Sequence, residues 1–83
     1  MYWLRDIYGD CINISNADSI FVETFPDDQY LKNSCTVMAN IHGNDYVLWE
    51  EKPASNKGTD IEKTVAKAHL FIDALVQRLN NAE

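Results

Sequence analysis

The chain has 83 residues, 46% hydrophobic and 24% charged, with thirteen acidic against seven basic side chains and a formal net charge of -6. That length suits one domain with a single core burying roughly two thirds of the unfolded surface; the composition is too apolar for a disordered segment, and no apolar run is long enough for a membrane span. The acidic balance disfavours nucleic acid and anionic lipid as partners and favours solubility or a basic partner.

Taken in chain order, the predicted elements are short strands followed by one helix. Residues 2–8 are rich in aromatic and branched side chains and stop at the turn signal Gly9-Asp10; residues 11–14 alternate apolar with polar until Ser15-Asn16-Ala17-Asp18 breaks them. A third strand is expected over 19–25, with Ile20, Val22 and Thr24 on one side and Phe21, Glu23 and Phe25 on the other. Pro26 and the two carboxylates after it end that strand, and residues 26–33 are expected to form a loop.

The cleanest period-two pattern runs over 35–42, where Cys35, Val37, Ala39 and Ile41 alternate with Thr36, Met38 and Asn40, as in a central strand. Gly43-Asn44 suits a hairpin turn that returns the chain through residues 46–51. Two registers stay open. A two-residue loop sets Ile41 against Tyr46 and Ala39 against Leu48, leaving Met38, Val47 and Trp49 on the outer face. A three-residue loop turns Val47 and Trp49 inward. Turn chemistry favours the first, hydrophobic sorting the second.

After the polar connector 52–58, Thr59 and Glu62 have the spacing of a capping box, and a helix is predicted over 60–80. Ile61, Val65, Ala68, Ile72, Leu75, Val76 and Leu79 recur at intervals of three and four and form the stripe that faces the sheet. The fold class is therefore α+β: an antiparallel four- to five-stranded meander sheet, covered on one face by a single long C-terminal helix.

At ~100° per residue, Leu70 falls opposite the stripe with Ala66 and Ala74 beside it, and Phe71 sits on the shoulder. Such a row of small residues around one leucine lets a second helix approach, so a homodimer or a docked protein is expected there. The nine aromatic residues exceed what one helix and one thin sheet can hide, which adds Trp3, Trp49 and Met38 to the candidate interaction residues. The neighbours of the two tryptophans, including Asp6, Glu50 and Glu51, are mostly acidic, so base stacking on nucleic acid is not expected.

No catalytic, cofactor or metal site is expected. Cys11, Cys35, His42 and His69 are suitable zinc ligands by type, yet no pair has the short spacing of a zinc module. Both cysteines are expected to be reduced, small and buried. Glu50 and Glu51 are strand neighbours and point to opposite faces, and the three glycines all stand at turns or a cap rather than in a phosphate loop. The first residues lack a basic segment followed by an apolar one, so a cytoplasmic protein is expected. The functional expectation is a non-enzymatic interaction or regulatory module, with an acidic inhibitor of a basic, nucleic-acid-binding surface as the alternative.

Overall fold

The structure, a computed structural model, describes residues 2–24 and 33–82. The strand end expected at Phe25 and nearly all of the loop expected over 26–33 lie outside the described residues. Five strands and one helix are seen: β1 (Trp3–Arg5), β2 (Cys11–Asn13), β3 (Ser19–Thr24), β4 (Cys35–Ile41), β5 (Asn44–Glu51) and α1 (Gly58–Ala82). The class is α+β, as expected, but the strands do not form one meander. β1 and β2 make a two-stranded hairpin, while β3, β4 and β5 make a separate antiparallel sheet in that order.

The break between the two sheets has a local cause. The Asn13 side chain accepts a hydrogen bond from the Ser15 N–H, and the chain enters a 3-10 turn over Ile14–Asn16. The Ser15 hydroxyl oxygen in turn accepts from the Tyr2 N–H at 2.9 Å. Side chains that satisfy nearby backbone groups in this way compete with strand pairing, so β2 ends at Asn13 and β3 starts afresh against β4. β1 is likewise shorter than the expected 2–8, because Asp6 closes a turn: its Oδ1 accepts from the N–H groups of Tyr8 and Asp10 at 3.0 and 2.9 Å. The Asp6 N–H also donates to the Asp10 carbonyl, and Gly9 adopts a φ of 89°, open to a residue without a Cβ.

β4 is the central strand, buried from Cys35 through Ala39. Its register places Ile20, Ala39 and Tyr46 in one rung and Val22, Val37 and Trp49 in another. These side chains join Ile12, Ile14 and Leu48 in the main core. Phe21, Met38 and Val47 form a small second cluster on the opposite face.

The β4–β5 hairpin matches neither expected register. Its loop is His42-Gly43, one residue earlier than expected, and both residues have positive φ, 53° and 86°, as a tight type I′ turn requires. A histidine tolerates that conformation here because its N–H donates to Asp18 Oδ2 at 3.0 Å. Leu48 is then an extra residue in β5: Met38 pairs with Val47 but Val37 pairs with Trp49. This β-bulge sends both Leu48 and Trp49 to the core face. Val47 stays outside while Trp49 turns in, a combination that a continuous alternation does not permit.

α1 runs from Gly58, two residues earlier than predicted. The first intrahelical bonds go to the Lys57 carbonyl, from the N–H groups of Asp60 and Ile61. Ser55 Oγ accepts from the Lys57 N–H and donates to Asp60 Oδ2, so Ser55 and Lys57 organise the start where the capping box from Thr59 was expected. The buried stripe is also rotated. Thr64, Ala68 and Leu75 are buried, with Phe71, Ile72 and Leu79 packed beside them, whereas Val76, expected in the core, is 42% exposed. The Phe71 ring stacks on Trp49 with centroids 6.3 Å apart; with Trp49 turned inward by the bulge, the Phe71 shoulder closes on the sheet and Val76 rolls out.

Candidate interaction surface

The outer side of α1 carries the row anticipated from sequence. Leu70 is 66% exposed, the largest exposure among the big apolar side chains of the described residues, and Ala66 and Ala74 are exposed with it. Ala74 is also one lip of an apolar cleft of about 190 Å³, whose other walls are Leu4 from β1 and Phe71, Leu75 and Arg78 from α1. The helix thus presents a leucine, two small residues and a shallow apolar recess on one continuous stretch.

The remaining candidates separate. Trp3, 59% exposed, lies on the outward side of the β1–β2 hairpin, since its neighbour Leu4 packs against the core. Tyr8, 61% exposed, and Ile7 stand on the loop held by Asp6. Phe71 is half-buried against Trp49, and Trp49 itself faces the helix. Met38 is buried in the second cluster. The expected grouping of Met38 and Trp49 on a surface open to a partner is therefore corrected: the bulge at Leu48 separates them onto opposite faces of the sheet.

A second concavity, of about 340 Å³, lies where the end of β5 meets the connector and the first turns of α1. Its rim is of mixed charge: Glu51 and Asp60 stand with Lys52, Lys63 and Lys67. Lys67 Nζ pairs with Glu51 Oε2 at 3.2 Å, and Asp60 takes the Ser55 hydroxyl. Glu51 thus ties the strand to the helix through Lys67, and Asp60 ties the connector to the first turn of the helix through Ser55. Thr64, buried below them, gives its hydroxyl hydrogen to the Asp60 carbonyl at 3.1 Å.

Cys11 is exposed and Cys35 fully buried, and both are free thiols. The expectation that both are buried fails for Cys11, because β2 turns Ile12 inward and its neighbours outward. Burial pushes the Cys35 thiol up from its ordinary pKa, and the charge of Glu51, its cross-strand partner, adds to the shift. A thiol held protonated in this way is a packing group rather than a nucleophile. His42 is at the hairpin tip and His69 on the exposed part of α1. Among the described residues no group of three or more His, Cys, Asp or Glu side chains stands together as a metal would need, and no helix there is long and apolar enough to cross a membrane.

The residue that sequence reading missed is Asp6. Its signal was available as Asp6 followed by Gly9, the i and i+3 residues of a type I turn, but the aromatic run around it read as continuous strand. Comparison with known protein families, curated proteins and solved structures found no match.

Proposed function

We propose that this chain is a small non-enzymatic interaction module that pairs with a second copy of itself through the outer face of α1. The observation that carries the reading is Leu70, 66% exposed between two exposed alanines and beside the apolar cleft of Leu4, Phe71 and Leu75. An isolated exposed leucine needs no explanation. One set in a row of small residues next to an apolar recess has the shape of a helix-docking surface, because alanines let helix axes approach to ~8 Å. Covering the exposed part of Leu70 contributes about 1–2 kcal/mol for each copy, since full burial of a leucine is worth about 1.5–3 kcal/mol, and a domain of this size gains proportionately from added burial. The two free cysteines suit a reducing compartment such as the cytoplasm.

The test is Leu70→Glu, with mass read by light scattering across a concentration series and folding checked by circular dichroism. The expected result is a dimer for the natural chain and a folded monomer for the variant. A folded variant with unchanged mass removes the reading. The dimer is also expected to persist at about 1 M salt, where the Debye length is ~3 Å; a charge-driven association, as in an acidic inhibitor bound to a basic surface, would weaken steeply there.

A further inference from the structure

Resting on the self-association reading, we infer that the second copy seats on the cleft beside the row as well as on the helix, so that β1 supplies part of the interface and the order of the β1–β2 hairpin is linked to dimerisation. Size is the first reason. A stable protein interface takes about 20–30 residues a side, and Leu70 with Ala66 and Ala74 falls far short of that. The contact must spread off the row. Apolar surface continues from the row without a break on one flank only. On the other flank stand Glu62, His69 and Asp73, all exposed, and Val76 lies beyond Asp73 at ~120° from the Leu70 line. On the continuous flank, Ala74 is both the end of the row and a lip of the cleft of about 190 Å³, whose other walls are Leu4, Phe71, Leu75 and Arg78.

A copy that covers Ala74 therefore meets the cleft, and one wall of the cleft belongs to another element. Leu4 is in the hairpin, which is tied to the rest of the molecule by Leu4 and Ile12 in the core and by the Ile7 N–H on the Val47 carbonyl at 2.9 Å. When the hairpin opens, Leu4 is withdrawn and only the helix walls of the cleft remain. A contact made in the closed state and lost in the open one shifts that equilibrium by its own free energy, and the linkage runs both ways. Dimerisation holds the hairpin closed, and a closed hairpin completes the dimer surface.

The experiment is hydrogen exchange in the full chain carrying Asp6→Ala, which loosens the hairpin loop from a position outside both the helix face and the cleft. Gly9→Ala, strained at a φ of 89° yet with no atom within 4 Å of its new Cβ, replaces it if that chain does not fold. The Ile7 and Ile14 amides, bonded to the Val47 and Tyr2 carbonyls, report the hairpin, and the amides of Ala68 and Leu75 report global unfolding. Both sets are followed above and below the dimer dissociation constant, itself measured by sedimentation equilibrium, and again with Leu70→Glu added. The expected result is exchange roughly tenfold slower in the dimer at both hairpin amides, since coupling between sites is typically ~5–150-fold, and a rate independent of concentration once Leu70→Glu is present. A natural chain that dimerises while its folded loop variant stays monomeric shows the same linkage from the other side. Hairpin amides that exchange at one rate in monomer and dimer, or no faster than those of α1, overturn the linkage and leave self-association standing. A natural chain that is monomeric at every concentration overturns self-association and the linkage with it.

Discussion

The β1–β2 hairpin and the layer formed by β3–β5 and α1 share one core, yet they are held by different means. The layer is held by burial: Val37 and Ala39 from the sheet and Ala68 from the helix are fully enclosed. The hairpin sends Leu4, Ile12 and the following Ile14 into that core but leaves Trp3, Ile7 and Tyr8 outside, and its loop is held by hydrogen bonds centred on Asp6, only 8% exposed. Burial is additive over many atoms, whereas the loop rests on a few hydrogen bonds, the Asp6 carboxylate accepting two and the backbone groups of Asp6, Ile7 and Gly9 making the others. The expectation is a molecule whose layer unfolds globally and whose hairpin loop opens locally.

The largest effect comes from breaking the layer. Leu75→Ala empties a buried site between helix and sheet and is expected to cost about 2–5 kcal/mol, read as a lowered denaturation midpoint with all amides losing protection together. Asp6→Ala comes next. It strands the N–H groups of Tyr8 and Asp10, a loss of about 1–3 kcal/mol, and hydrogen exchange should show this at residues 6–10 while α1 keeps its protection. Loss of protection throughout the molecule would show that the loop belongs to the same cooperative unit as the layer. The smallest effect sharpens the contrast without disturbing either part. Cys11, on the hairpin, should react with a thiol reagent at the rate of a free thiol, while Cys35 reacts only when the layer opens. Because its folded pKa is raised by burial and then by Glu51, Cys35 keeps its proton in the native state when the unfolded chain begins to lose it. Its contribution to stability is full below the unfolded thiol pKa of about 9 and declines as pH rises above it. Against a Cys35→Ala reference, the melting temperature of the natural chain should therefore fall more between pH 8 and 10 (~1 unit either side of that pKa).

How much was legible in the sequence differs between the same two regions. In the layer, the alternation from Cys35 to Ile41 marked the central strand, and the spacing of Ala68, Ile72, Leu75 and Leu79 marked the buried side of α1 with Leu70 opposite. Periodic burial leaves a periodic trace. What left none was geometry that interrupts the period. The bulge at Leu48 adds one residue to β5 and turns two consecutive side chains to one face, so no strict alternation could place both Val47 and Trp49. Val76 followed the stripe by spacing and was displaced by the Trp49–Phe71 stack, a contact between distant segments. In the hairpin, the 3-10 turn and the Asp6 loop depend on side chains satisfying backbone groups, and Asn13, Ser15 and Asp6 look the same in sequence whether they do so or merely face water. The outer row of α1 was legible because it too is a matter of helical phase; Met38 and Trp49 were misplaced because their phase is set by the bulge.

One backbone contact joins the two regions directly. The Ile7 N–H donates to the Val47 carbonyl at 2.9 Å, from the side of β5 that does not pair with β4. An outermost strand with open carbonyls is a template on which foreign strands can stack, and the hairpin loop occupies that template near its middle. The loop therefore doubles as a guard: while it stays folded, strand addition at that point of β5 is obstructed.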